Sequence, residues 1–489
     1  MGPYLAAVAS AVLMWAAYPP LDLGLLGFVA PAPLLLALRR VDRGVHALAL
    51  GFVYGFTFFG LLLHYVRYVG MVAWIPLVVW LAASAAGYGL LVWSFRLWPA
   101  PRWWLVIVGG WGLWEALRVH FPFGGFPWGV LGYGVGGNPG FLGATQWIGP
   151  TGWSILGIGV AAGVVLVVED RAHWRLLVDP AVVSLLLALG GALFAPRADG
   201  DELRVAIIQG NTPCPQTHCD NEARRIYESH LALTQSLVPG SASLVVWPEN
   251  AATSPYDPTT NAEVETAISI EAQRLGAYFI VSATRSISET EFANVNLAYD
   301  PGGRRIGEYL KRHPVPFGEF VPLRGLLDFI PQLDRVPRDM VRGDGPVVFD
   351  IPAGVIGSVI SFEGGFTRLI RSEVSAGAEL MVVTTNESTW VDSEASDQFI
   401  DITRVNAAAI GQDLVHAAIS GRSAIISATG EITAVTDLLA TDILIGTVRF
   451  RTAGPTLFAR LGDWVVLVAL AASVAALAVP GEGRPLSSR

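Results

Sequence analysis

The first 194 residues are divided into apolar runs of bilayer-spanning character, and this constrains the chain more than any other feature. A helix needs about 20 apolar residues to cross a hydrocarbon core of ~30 Å. The runs are Tyr4–Tyr18, Leu25–Leu38, Val45–Tyr65, Met71–Leu97, Trp103–Ala116, Trp147–Val168 and Leu176–Phe194, and an eighth is Trp464–Val479. The first, second and fifth are short, which implies little tilt, an interfacial position or support from neighbours. No basic residue precedes Arg39 and further apolar runs follow, so a cleaved signal peptide is not expected. Charged residues make up only 15% of the chain and hydrophobic ones 52%, where a soluble protein carries about 25% charged. A disordered chain, a collagen and a small disulfide scaffold are thereby excluded.

The charges divide the chain again. Ala195 to Arg460 holds 21 basic and 33 acidic residues, a net of −12, whereas the remainder is at +3. The expected organisation is a polytopic transmembrane domain over 1–195, an acidic water-soluble domain over 196–461, a C-terminal transmembrane helix over 462–482 and a tail over 483–489. Net acidity argues against nucleic acid, which attracts a basic face. With the N-terminus in the cytoplasm, Arg39, Arg40, Arg43, Arg96, Arg102, Arg171, Arg175, Arg484 and Arg489 fall inside, and only Arg67 and Arg118 fall in outer loops between spans. This positive-inside bias predicts a multi-pass protein of the cell (inner or plasma) membrane. Seven spans before the acidic domain would place it, and the tail at the opposite end, outside and inside the cytoplasm respectively.

Two residue types are scarce. Lys and Arg total 32, yet Lys311 is the one lysine. It is either a survivor of biased codon usage or a place where chemistry needs an amine. The two cysteines, Cys214 and Cys219, lie in the acidic domain. A disulfide is permitted outside the cytoplasm, and paired thiols are the alternative. With His218 between them they lack zinc-site spacing. No metal and no cofactor is expected.

Within the acidic domain, β-rich runs occur at Arg204–Gln209, Leu244–Trp247, Tyr278–Ala283, Val295–Tyr299, Val347–Ile351, Val355–Ile360, Leu380–Thr385, Leu414–Ile419, Ala424–Ala428 and Ile443–Phe450. Helical periodicity marks Asn221–Leu237, Asn261–Leu275, Thr367–Ala376 and Gln398–Ile410. Continuous apolar strands are expected where both faces are covered, so this is an α/β layered domain. Three segments carry chemistry. VVWPEN (Val245–Asn250) places Glu249 after Trp247 and Pro248, at a strand's end. EYLKRHPVPFGEF (Glu308–Phe320) carries Lys311 and, eight residues on, Glu319, in a loop stiffened by prolines. GSVISFEGG (Gly357–Gly365) ends a strand at Ser361, Phe362 and Glu363, as when a nucleophile is presented at a sharp turn. Their plainer readings are a loop carboxylate, a surface Lys-Arg-His cluster and a helix-capping serine.

In this order, the three segments resemble the nitrilase superfamily, which uses a Glu, a Lys and a Cys on an αββα sandwich. GGFPWGVLGYG (Gly124–Gly134), EALR (Glu115–Arg118), YPPLDLGLLGF (Tyr18–Phe28) and KRHPVPFGEFVP (Lys311–Pro322) narrow the resemblance to the membrane-bound apolipoprotein N-acyltransferases, over nearly the whole chain. The resemblance implies a nitrilase-like sandwich inserted between transmembrane helices, about seven before and one after. It implies transfer of an acyl chain from a membrane phospholipid, through an acyl-enzyme, to the α-amine of a diacylated apolipoprotein. Glu249 then matches the general base, Lys311 the oxyanion-stabilising residue and Glu319 a second glutamate near it. Gln209, Gly210 and Asn211 match the start of the domain's first strand and loop. Asn386 and Trp390, in TTNESTW, match a family segment with Glu387 in place of Asp. Trp247, Asn250 and Trp128 are candidate substrate or lipid contacts. A fixed cation lowers the barrier of acyl transfer, and Lys311 with the backbone N–H of Phe362 would form that hole. Glu115 in an apolar span is costly; with Arg118 one turn on it would either sit near a lipid headgroup or form a structural pair.

Two departures qualify the resemblance. Ser361 stands where the family has its cysteine. A thiol, with a pKa of about 8.5, is readily activated, whereas a serine needs a strong base such as histidine. No G-x-S-x-G surrounds Ser361, and His313 is close to Lys311 in sequence but is not placed at Ser361 by it. Ser361 is therefore an engineered change that stops the enzyme before acylation, a natural serine forming a slow oxyester, or the mark of a non-catalytic lipid- or lipoprotein-binding relative. The other departure is CPQTHC (Cys214–Cys219), where the family loop carries an aromatic residue. A membrane-bound amidase of small amides is a rival function, but it leaves GFPW and the spans unexplained.

Overall fold

The computed structural model describes residues 1–327 and 329–478; the expected tail 483–489 lies outside them. Helices form over Gly2–Trp15, Gly44–Leu62, Met71–Ser94, Ala100–Arg118, Thr145–Glu169, Arg175–Leu193 and Trp464–Ala478. The second apolar run departs from expectation. It makes a short 3-10 turn, Gly24–Phe28, then a helix of only 9 residues, Ala32–Arg40. At 1.5 Å per residue that helix covers roughly 14 Å, half a bilayer. Pro31 and Pro33 flank its start and cannot donate the backbone bonds that would continue the preceding turn. Among the described residues, 4 helices are long and apolar enough to cross alone: Gly44–Leu62, Met71–Ser94, Thr145–Glu169 and Arg171–Leu193. Ala100–Arg118 has the length but carries Arg102, Glu115 and Arg118. The terminal helices Gly2–Trp15 and Trp464–Ala478 are shorter, at 14 and 15 residues.

The broken run still crosses the bundle. Pro19, before it, accepts a hydrogen bond from Gln398 of the α/β domain. Arg39, after it, pairs with Glu169 at 2.9 Å and lies over the Trp103 ring. The connections sort by end. On the domain's side, Leu62 accepts from Gln398 at 3.2 Å, His64 meets Glu394 at 2.8 Å, Tyr65 packs on Trp390, and Val119 and Gly124 accept from Arg368. At the far end, Arg39 and Val41 meet Glu169 and Trp93. The two arginine-sorted groups of loops thus occupy opposite ends of the bundle.

The α/β domain is built from two sheets. Its strands are β1 (Glu202–Gln209), β2 (Leu244–Thr253), β3 (Tyr278–Ser286), β4 (Glu291–Tyr299), β5 (Arg305–Leu310), β6 (Asp339–Met340), β7 (Val348–Ile351), β8 (Gly354–Ile360), β9 (Leu380–Thr385), β10 (Leu414–Ala418), β11 (Ala424–Ile426), β12 (Ile432–Val435) and β13 (Asp442–Arg449). One sheet runs β13-β1-β2-β3-β4-β5, with β6 beside β4; the other runs β12-β11-β10-β9-β8-β7. Each has a parallel centre, β1-β2-β3 or β8-β9-β10, flanked by antiparallel strands.

Alternation of side chains makes the layers. Ala206, Ile208, Val245, Trp247, Phe279 and Val281 point outward onto Val264, Ile268 and Ala272 of the Ala262–Leu275 helix. Val205, Ile207, Val246 and Ile280 point inward, into the core shared with Ile356 and Val382 of the other sheet. Polar bonds pin the two sheets: Asn296 of β4 donates to Ser358 of β8 at 2.6 Å and accepts from Thr384 of β9 at 3.1 Å. The architecture is the αββα sandwich. β5, β6 and β12 escape sequence reading for a physical reason. β5 and β12 are sheet edges whose residues are mostly partly or fully exposed, and β6 has two residues, so none is a buried apolar run.

Candidate active site

The candidate residues gather outside the carboxyl ends of the parallel strands, where α/β sheets commonly hold ligands. Glu249 does not end β2, as the sequence suggested, but sits in a bulge within it. Trp247 pairs with Val281 and Ala252 with Ala283, so Pro248 to Ala251 stand opposite Ser282 alone. Proline has no N–H to donate and suits this break, and a bulge re-aims the side chains it carries. The Glu249 carboxylate, nearly buried, accepts from Asn294 Nδ2 at 3.0 Å and Lys311 Nζ at 3.2 Å.

Lys311 follows β5, and its N–H bonds the Asn294 carbonyl. Its side chain is 0% exposed and its ammonium also donates to Glu319 Oε1 at 2.6 Å. Glu319 in turn accepts from the Val315 N–H at 2.7 Å, which folds the proline loop back on itself. Burial by itself pushes the ammonium down, but the Glu249 and Glu319 carboxylates outweigh it and hold Lys311 above the ordinary lysine range. Burial pushes the Glu319 carboxyl up, against the pull of Lys311. Lys311 is thus a fixed cation.

A chain of donors leads to Glu249. Asn386 donates to Asn250 (2.7 Å), Asn250 to Thr284 (2.6 Å), Thr284 to Asn294 (2.9 Å) and Asn294 to Glu249. Bonds aligned this way polarise one another toward the carboxylate. Asn294 and Thr284 were missed by sequence reasoning. The available signal was polarity inside strand-like runs, since a buried amide must have partners.

Ser361 lies at a sharp turn between β8 and a short 3-10 helix, Ser361–Gly365, with φ of 56°. A non-glycine residue in this region costs about 1–2 kcal/mol, and Asn250 and Glu387 share it at 64° and 61°. Glu363 ties this turn to the lysine loop. One oxygen accepts from the N–H groups of Arg312 (2.7 Å) and His313 (2.9 Å); the other accepts from the Ile360 N–H and Tyr309 hydroxyl, both at 2.8 Å. Arg312 follows Lys311 and Ile360 precedes Ser361, so one buried carboxylate sets the two against each other. It is occupied as a clamp.

The membrane part completes the surroundings. Phe362 is sandwiched between Trp128, at 5.7 Å and 9°, and the His313 ring, at 5.8 Å and 14°. A Cβ on Gly365 would lie 3.0 Å from Pro127 and Trp128, so the close approach of the loop favours glycine. Burial, then Arg368, Arg342 and Lys311, push His313 down to about 4, and its Nε2 is buried without a hydrogen-bond partner among the described residues. Glu115 and Arg118 do not form the expected pair; among the described residues no ion pair joins them. Glu115 accepts from the Leu131 N–H at 2.8 Å, and Arg118 donates to the carbonyls of Phe126 and Trp128. Both therefore fasten the loop that carries Trp128.

The remaining candidates divide. Asn250 and Asn386 belong to the donor chain, and Trp390 packs on Tyr65 at 5.2 Å, at the junction with the membrane part. Trp247 does not reach the site: it is 0% exposed, faces the outer helices and donates to Thr234 at 2.9 Å. Cys214 and Cys219 are joined in a disulfide, in a loop whose Gln216 N–H bonds the Ser388 carbonyl.

A sandwich of this kind, with a buried Glu–Lys–Glu cluster beside a strand-to-helix turn and helices of bilayer length attached, defines a membrane-bound enzyme of carbon–nitrogen hydrolase type. Residues 204–457 match the family described as carbon-nitrogen hydrolase, and residues 10–163 match the apolipoprotein N-acyltransferase N-terminal domain. The chain is 31% identical to an apolipoprotein N-acyltransferase of Geobacter metallireducens, over 97% of this chain and 95% of that one. It is 29% identical to one of Gloeobacter violaceus, over 99% and 95%. Among solved structures, an amidase from Nesterenkonia sp. aligns with 52% of this chain and 92% of its own, at a TM-score of 0.40 and 14% identity. The chain belongs to the apolipoprotein N-acyltransferase family and is an acyltransferase.

Proposed function

We propose that this acyltransferase moves an acyl chain from a phospholipid to the N-terminal amine of a diacylated apolipoprotein in two steps. Ser361 Oγ attacks the ester carbonyl of the lipid, with its proton passing to Glu249. The ester C–O bond breaks, an oxyester forms, and the proton leaves on the lysophospholipid. The amine then attacks the oxyester, an amide forms, its proton goes to Glu249, and Ser361 is released and reprotonated. The Lys311 ammonium faces the oxyanion in both steps. Residues 1–195 and 462–482 hold the protein in the cell membrane, and 196–461 lies outside the cytoplasm, a reading that the arginine distribution supports.

The observation that carries this reading is the fully buried Lys311, held between Glu249 and Glu319 and tied through Glu363 to the turn at Ser361. The test is intact mass of the full chain and of Ser361→Cys after incubation with phospholipid. An adduct of one acyl chain, at least on the cysteine form, is expected, with discharge on adding a diacylated lipopeptide. Discharge only to water would point to an amidase-like hydrolase. No adduct on either form, with lipid still bound, would make the chain a lipid-binding relative.

A further inference from the structure

The short second helix leaves a space. A groove of about 690 Å³ runs between the Gly2–Trp15 helix, the Val29–Arg40 stretch and the last turns of the Thr145–Glu169 helix. Its walls include Ala6, Leu13, Val29, Leu36 and Val168, and Arg40 is its one charged lining residue. From Gly2 to Leu13 it follows the helix for roughly 16 Å. It lies along the bundle's side and reaches the end remote from the α/β domain, where Arg39 meets Glu169.

We propose that this groove holds one anionic phospholipid from the leaflet remote from the α/β domain, its acyl chain in the slot and its phosphate on Arg40. Three observations support it. The walls are aliphatic along their whole length, so they match a hydrocarbon chain and nothing polar. Arg40 is exposed and its guanidinium has no hydrogen bond or ion pair among the described residues, whereas neighbouring Arg39 is engaged by Glu169. A guanidinium at the end of an apolar slot is a fork for a phosphate. Of the acidic groups at this end, Glu169 is neutralised by Arg39 and Asp170 caps the turn at Ala172; Asp42 and Asp179 are outnumbered by Arg40, Arg43, Arg171 and Arg175. A hydrophobic stretch too short for the bilayer adapts at a cost, and a lipid filling the 9-residue helix's side of the bundle relieves it. This lipid is not the acyl donor, because it sits at the end of the bundle opposite Ser361.

The test is native mass spectrometry of the full chain in detergent with equal phosphatidylglycerol and phosphatidylethanolamine. One retained phosphatidylglycerol per chain is expected, with its preference falling roughly five-fold in Arg40→Gln, the effect of one arginine at a charged lipid surface. Arg40 is an exposed side chain, so this variant does not threaten folding. Ala6→Trp, which plugs the slot, should remove both lipids. Retention by Arg40→Gln equal to the parent, no preference in the parent, or unchanged retention in Ala6→Trp would each overturn the proposal.

Discussion

Glu363→Gln should loosen the site and destabilise the fold together. The glutamate accepts four hydrogen bonds, two on each oxygen, at 2.7–2.9 Å, and is 0% exposed. Glutamine keeps the shape but turns one oxygen into a donor, which then faces two donors. Each hydrogen bond to a charged group is worth about 1.5–3 kcal/mol, so the loss is roughly 3–6 kcal/mol. For a domain of this size each kcal/mol moves the melting point by about 2–4 °C, which gives a fall of roughly 6 °C or more. The measurements are the thermal midpoint of the full chain in detergent and, in a Ser361→Cys background, the rate of acyl adduct formation. Both should drop, because the tie between Ile360 and Arg312 sets Ser361 against Lys311. An unchanged midpoint with lost acylation would refute the clamp and return Glu363 to the chemistry. If neither quantity moves, the tie carries nothing.

Lys311→Arg in the same background should slow acylation by about 100-fold or more, since a planar fork cannot replace an ammonium held at 2.6 and 3.2 Å in a fully buried place; full activity would remove Lys311 from the mechanism. His230 is a fully buried imidazole that accepts from the Gly210 N–H and donates to the Ile226 carbonyl, and burial pushes it down to about 4. The unfolded chain takes a proton near pH 6.5, so His230 supports the fold fully above that pH. About 3 kcal/mol is lost as pH falls toward 4. His230→Gln should flatten that part of the midpoint-against-pH curve, and parallel curves would count against it. Trp247→Phe should cost about 1–3 kcal/mol, from a lost bond to Thr234 and lost volume, with acylation unchanged; a selective loss of acylation would put Trp247 back at the site.

Where a physical constraint acts locally, the sequence carried it. The central strands are apolar runs and were legible in position, Leu380–Thr385 to the residue, whereas β2 runs on past its apolar stretch Leu244–Trp247 to Thr253. Lys311, Glu319 and Ser361 stood out through a rare residue, a stiffened loop and a glycine-rich turn. What escaped depends on partners distant in sequence. Asn294 is one more strand residue until Thr284, Glu249 and the Lys311 N–H meet it. Trp247, adjacent to Pro248 and Glu249, was drawn to the site by proximity, yet strand alternation and the bulge send it outward. Glu115 and Arg118 are spaced as a pair, but the loop they fasten lies beyond either residue's helix. The second apolar run had the composition of a span, and Pro31 and Pro33 gave the sign that it would break.

Ser361→Cys bears on how the site handles the proton. Lys311 is held protonated by two carboxylates, so it supplies charge and cannot serve as the base. Glu249 is the carboxylate that the donor chain from Asn386 converges on. A carboxylate can deprotonate a thiol across a gap of about 4 pK units, but a hydroxyl lies well beyond that. Proton transfer by a matched base is worth about 10²–10⁴-fold, so Ser361→Cys should acylate at least ~100 times faster than the parent. Equal rates would refute Glu249 as the base for serine and turn attention to His313. That imidazole is stacked on Phe362, next to Ser361, is pushed down to about 4 and so is neutral at pH 7, and carries a buried Nε2 with no partner among the described residues. His313→Asn then separates the cases. It should leave the cysteine form's rate intact if Glu249 is the base, and it should abolish a serine reaction that depends on the imidazole.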